Sequence, residues 1–233
     1  ETLKGLELMT DLYSIYGVPE YVANFYNEFR YGRIPIGVAD FGTYLLLTNA
    51  ADEIYGLWDI APSPGVYKDG EILRYQVASD RAGVIFKDST KKEEAWEFLK
   101  WWLSKDTQVK FSNTLVSRYG PDYLWNTANI SAFKEITFIP ESHKSVILEQ
   151  WRWIKEVQRH PASYMTEREI SNVWNRVVLQ GENLRVAVDK SIKIINREME
   201  RKLIEFGYLK GGKIVKKMQF RSIEDFFKEG EVK

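Results

Sequence analysis

What most constrains this chain is where its two hydrophobic periodicities fall. Stretches that read as strand lie in the first third, at Ile34 to Ala39, Leu57 to Ala61, Leu73 to Val77 and Gly83 to Phe86. Beyond Asp88 the apolar residues recur at helical spacing almost throughout, so the expected class is α/β, mostly helical with few strands. Leu3, Leu6, Leu8, Leu12 and Tyr13 open the chain on a helix that stops near Gly17 and Pro19. Further helices are expected at Tyr21 to Tyr31 and Tyr44 to Asn49, and then on the face made by Ala95, Trp96, Phe98, Leu99, Trp102 and Leu103, capped by Asp88 or Ser89. Thr107 to Leu115, Glu141 to Gln158, Thr166 to Leu179 and Glu182 to Phe206 complete the helical set. Turns are expected at Asp69-Gly70, Gly207 and Gly211-Gly212, and a short docking helix carrying Phe220, Phe226 and Phe227 in the tail.

Composition narrows the chemistry. With 33 basic and 33 acidic residues there is no excess positive charge to draw the protein onto a phosphate backbone, so nucleic acid is not an expected partner. There is no cysteine, and His143 and His160 are the only histidines, which removes thiolate zinc sites and thiol nucleophiles. Signatures of nucleotide binding, serine hydrolysis and metallopeptidase chemistry are absent; no metal, cofactor or catalytic residue is expected. Glu167 and Glu169 are the tempting carboxylate couple for glycoside hydrolysis, but two residues apart on a helix they point in different directions. No stretch approaches the roughly 18 apolar residues of a membrane span, and Glu1 to Leu12 carry no signal-peptide pattern. Aromatic residues reach 14% and many lie beside polar ones, a composition suited to surfaces that stack on a ligand.

The run from Ala82-Gly83-Val84-Ile85-Phe86-Lys87-Asp88-Ser89 through Glu94-Ala95-Trp96-Glu97-Phe98-Leu99-Lys100-Trp101 to Thr107-Gln108 resembles the extracellular solute-binding proteins of bacterial ABC importers. Phe29 to Val38 and Trp58-Asp59-Ile60-Ala61-Pro62-Ser63-Pro64-Gly65 resemble further units of that family. Arg159 to Glu169 and Asn196 to Tyr208 are similar to its sugar-type, large Gram-positive lipoprotein subgroup, family 1. The resemblance covers most of the chain from Leu3 to Tyr208 and implies the C-terminal portion of a periplasmic-binding-protein-like type II fold, with the N-terminal lobe and secretion signal outside it. It implies residues 1–56 in the C-terminal lobe, 57–117 passing through the hinge into N-terminal-lobe elements, 118–210 returning as C-terminal-lobe helices, and 211–233 as a tail.

The implied function is non-catalytic capture of an oligosaccharide or related small solute, outside the membrane or anchored to it, for delivery to the transmembrane subunits of an ABC permease. A glycan-processing enzyme with an aromatic-lined cleft and a helical interaction module are the alternatives; the module predicts no strands before Lys87. Loops at the carboxyl ends of strands line ligand crevices in open α/β sheets, which singles out Phe41 and Tyr44 for stacking and Asp40 for accepting hydroxyls. A second patch comprises Tyr75, Asp80 and Arg81, in the stretch Arg74 to Arg81. A third comprises Trp151, Arg159, Tyr164 and Glu167, where His160-Pro161 is expected to end one helix and a Thr166–Glu169 capping box to start the next. There Tyr164 is either a platform for ligand, with Arg159 beside it, or packs beneath a structural Arg159–Glu167 pair.

Overall fold

The computed structural model describes residues 2–77, 82–155, 157 and 159–218. In chain order the helices are α1 (Thr2–Ser14), α2 (Phe25–Arg30), α3 (Phe41–Ala50), α4 (Lys92–Leu103), α5 (Lys105–Tyr119), α6 (Ile130–Glu135), α7 (Glu141–Trp151), α8 (Ser163–Trp174) and α9 (Leu184–Glu205). Two antiparallel hairpins accompany them: β1 (Val66–Lys68) with β2 (Glu71–Leu73), and β3 (Leu209–Lys210) with β4 (Lys213–Ile214). The protein is therefore α/β and mostly helical. It divides into two units, one of Glu1–Tyr21 with Val157–Lys233 and one of Val22–Glu156.

In the first unit α8 lies along α9. Ala187 and Ser191, one turn apart on α9, are both buried, and their small side chains let the helices approach closely. The end of α8 widens into a π turn at Asn175–Leu179, and Gly181 (φ 69°) reverses the chain in a left-handed conformation that favours glycine. Asn183 then starts α9, its Oδ1 accepting from Val186 N at 3.2 Å. From α1, Tyr13 meets Trp174 edge-on, ring centres 5.1 Å apart.

The second unit has an aromatic core. Tyr44, Val116, Leu124, Phe133, Ile136 and Ile139 form its buried cluster, and Trp151 lies 4.5 Å from Phe133, ring centre to ring centre. A second group joins Trp102, Phe111 and Trp125 edge to face around a buried glutamine. Gln108 donates to Trp102 O at 2.7 Å, while its Oε1 accepts from Trp125 Nε1 at 2.7 Å and Thr127 Oγ1 at 2.9 Å. Three polar partners explain why an amide is tolerated there.

Several expected elements differ. The runs 34–39, 57–61 and 83–86 make no strand: none of them pairs with a strand among the described residues, the Ile34 N–H donates instead to Glu28 O at 3.2 Å, and Pro35 lacks an N–H. Leu73 to Val77 forms strand only as far as Leu73, followed by a parallel bridge from Gln76 to Ile154. Strands are not confined to the first third, since β3 and β4 follow α9. The Asp69-Gly70 turn forms as expected, with φ of 52° and 91°, the two positive values a tight hairpin needs. Helix α2 is shorter than Tyr21 to Tyr31 because Asn24 caps it, accepting from Asn27 N at 3.1 Å. Helix α5 extends past Leu115 to Tyr119, and α7 ends at Trp151, well before His160-Pro161. Helix α8 starts at Ser163, whose hydroxyl accepts from His160 N at 2.8 Å, so Thr166 lies inside it and the capping box does not form. The expected tail helix with Phe220, Phe226 and Phe227 lies outside the described residues.

Candidate functional site

The first expected site is divided between the core and the start of a helix. Asp40 caps α3: its Oδ1 accepts from the Thr43 N–H at 2.8 Å and the Thr43 hydroxyl at 2.9 Å, and these bonds hold its carboxyl below the usual carboxylate range. Tyr44 is only 7% exposed, and Phe41 stacks on it and packs against Phe133. Burial pushes the Tyr44 phenol up. Its hydroxyl meets His143 Nδ1 at 3.0 Å, and His143 Nε2 lies 3.1 Å from Asp59 Oδ1, with Trp58 beside both rings. Full burial removes Tyr44 as a stacking platform, and Asp40 is committed to the helix it starts. Phe41 and Tyr44 stand at i, i+3 on α3, a spacing that turns both rings toward the core.

Of the second patch, Asp80 and Arg81 lie outside the described residues. Tyr75 is half exposed, meets Trp153 edge-on at 5.4 Å, and carries the Lys155 ammonium 4.0 Å above its ring. One face of Tyr75 is thus already occupied by a cation.

The third patch is divided. Trp151 belongs to the Val22–Glu156 unit and packs on Phe133, whereas Arg159, Tyr164 and Glu167 belong to the other. Arg159 Nη1 and Glu167 Oε1 are 3.1 Å apart and exposed. Tyr164 does not pack beneath that pair: its hydroxyl donates to Glu198 on α9. The Arg201 guanidinium, and then that hydroxyl, lower the Glu198 carboxyl from 4.5 to about 2. Glu169 is unavailable for catalysis; it is 2% exposed and accepts from Asn172 Nδ2 and Ser191 Oγ, each at 2.9 Å, with Arg176 Nη2 at 3.7 Å.

The structure adds a place that sequence reasoning missed. The extended segment after Pro62 is strapped to the end of α7: Gln150 Oε1 accepts from Ser63 N at 2.8 Å and its Nε2 donates to Arg74 O at 3.1 Å. The backbone pairing continues from Gln76 N to Trp153 O at 3.1 Å and from Lys155 N to Gln76 O at 2.9 Å. Gly65 lets β1 start against β2, since a Cβ there would lie 2.5 Å from Leu73 O. Beside this strap is a hollow of about 700 Å³ lined by Glu71, Ser145, Leu148, Glu149, Arg152 and Trp153. The i, i+3, i+4, i+7 spacing from Ser145 to Arg152 was a usable signal for one wall; Glu71 reaches it only through the long-range strap. A second hollow, of about 630 Å³, runs along α5 past Asp106, Lys110, Asn113 and Arg118 to Glu135 and has no aromatic wall.

Among the described residues no group of three or more His, Asp or Glu side chains could hold a metal ion, and no helix is long and apolar enough to cross a membrane. Compared with known proteins, no family model matches this sequence, and no curated protein matches it either.

Proposed function

We propose that this chain is part of a two-lobed extracellular solute-binding protein that captures an oligosaccharide and hands it to the transmembrane subunits of an ABC permease. One observation carries the reading: apolar runs of strand-type composition form no strand among the described residues and lie open, with Ile36 79%, Val38 70%, Val84 74% and Phe86 79% exposed. Apolar strand residues left open in this way call for sheet neighbours from outside the described residues, as a second lobe with its own strands supplies. Helix α4 supports it, for Trp96, Phe98 and Trp101 are all more than half exposed. The strap between residues 62–77 and the end of α7 gives a firm extended crossing of the kind a hinge between lobes requires.

Calorimetric titration of the complete protein against a panel of neutral and acidic glycans tests the reading. Saturable binding with the glycan recovered unchanged supports capture; silence across the panel, with binding of peptides or lipids, overturns it. Glu71 and Glu149 line one hollow, which favours glycan processing as the second reading. Product analysis after long incubation separates the two. The β1–β2 hairpin, before Lys87, counts against a purely helical module.

A further inference from the structure

The hollow beside α7 brings charged side chains together with an aromatic wall, which the hollow along α5 lacks. Charged groups near it in the sequence are engaged elsewhere: Lys144 with Glu141, His143 with Asp59, Arg74 with the Ser63 carbonyl. The carboxylates of Glu71 and Glu149 and the guanidinium of Arg152 have no side-chain partner among the described residues, yet they converge on one space with the indole of Trp153 and the side chain of Leu148. Its volume of about 700 Å³ falls within the range of small-molecule sites, about 300–1,000 Å³. The backbone of its walls is held, because Gln150 and the Gln76 backbone bind the strap to the turn that carries Trp153.

We propose that this hollow is a subsite for a neutral pyranose, complete within the Val22–Glu156 unit and able to bind without a second lobe. The proposal rests on the glycan reading above and names where and what that reading binds. A pyranose ring offers an apolar C–H face and a rim of hydroxyls that both donate and accept. The Trp153 indole and Leu148 match the face; Glu71 and Glu149 accept from hydroxyls, and Arg152 donates to them as a planar fork. Two carboxylates against one guanidinium leave the hollow net negative, which selects neutral sugars over uronic acids.

The test is saturation-transfer NMR and calorimetry on this 233-residue chain with maltotriose, cellotriose and trigalacturonate. At least one neutral trisaccharide binds, and trigalacturonate binds more weakly. Trp153→Ala weakens neutral binding between about three- and tenfold, the size of one ring-stacking contact. Glu149→Gln, on the surface and harmless to folding, weakens it as well while leaving the melting temperature unchanged, which keeps the test valid should Trp153→Ala misfold. Absence of neutral binding to the chain, preference for trigalacturonate, or indifference to Glu149→Gln overturns the subsite. The two failures are distinguishable. A complete protein that binds glycans whatever stands at 149 and 153 refutes the subsite alone, whereas a complete protein that binds no glycan refutes the reading beneath it.

Discussion

In the unit that contains α8 and α9, a carboxylate 2% exposed is closed off by Asn172, Ser191 and Arg176; in the unit spanning Val22–Glu156, Ile36 and Phe86 stand 79% exposed with no strand beside them among the described residues. The first unit satisfies even its most expensive buried group from within. The second has a sound aromatic core around Phe133 but leaves strand-forming residues open. The first unit also exposes apolar residues, Ile15 at 69% and Ile214 at 72%, but in the second unit they come in runs of strand-type composition, and it is those runs that the proposed second lobe explains.

The largest effects should come from the two cores. Phe133 is fully buried against Phe41 and Trp151, so Phe133→Ala is expected to cost about 4 kcal/mol in chemical denaturation. A loss below about 1 kcal/mol means the cluster can collapse around the cavity and is not a true core. Glu169→Ala is next, at about 3 kcal/mol, because it takes the acceptor from the buried Ser191 hydroxyl and from Asn172 and leaves the partly buried Arg176 guanidinium without its counter-charge. If that substitution proves neutral, the first unit does not depend on its polar interior, and the contrast between the units weakens.

The same contrast explains what was legible in the sequence. Helices α1, α3 and α9 could be read because their apolar spacing is local. Runs 34–39 and 83–86 look like strands for an equally local reason, their apolar β-type composition, but a strand exists only with a partner, and none of the described residues supplies one. The candidate site was less legible. Tyr44 and Asp40 have the right chemistry for sugar binding and are spent on packing and capping, which depends on His143 and Thr43 standing where they do. The hollow at Trp153 escaped notice because its two walls, β2 and α7, are far apart in sequence and joined by Gln150.

Smaller effects sharpen the picture at the ends of helices. Asp40→Ala should cost about 1 kcal/mol through loss of the α3 cap, and Asp40→Asn should restore most of it, since the amide oxygen still accepts from Thr43 N. Unchanged stability with lost glycan affinity in the complete protein would return Asp40 to the binding site. At Glu198 the prediction concerns pH. Its folded carboxyl is lowered from 4.5 to about 2, so its contribution is fully present above 4.5 and is lost as pH falls through about 2. Tyr164→Phe removes the lesser of its two hydrogen-bond donors and should move the Glu198 carboxyl upward from about 2, as followed by carboxyl-carbon NMR. A titration unmoved by the substitution means that Arg201 alone sets it.

The smallest effect expected in this chain is the most informative about the contrast. Ile36→Thr and Val84→Thr keep a β-branched shape while exchanging an ethyl and a methyl, respectively, for a hydroxyl, so the backbone preference is retained and mainly hydrophobicity changes. At 79% and 74% exposure neither residue has much burial to lose here, and each substitution should shift the unfolding free energy of this chain by no more than about 0.5 kcal/mol. If the proposed second lobe supplies strand neighbours, the same residues are buried in the protein that contains it, and each substitution there should cost about 1.5 kcal/mol or more, the scale of burying one aliphatic side chain. The difference between the two denaturation experiments measures the burial that the second lobe adds. Equal and small shifts in both proteins would mean that these runs stay open in the complete molecule, and the observation on which the solute-binding proposal rests would lose its force.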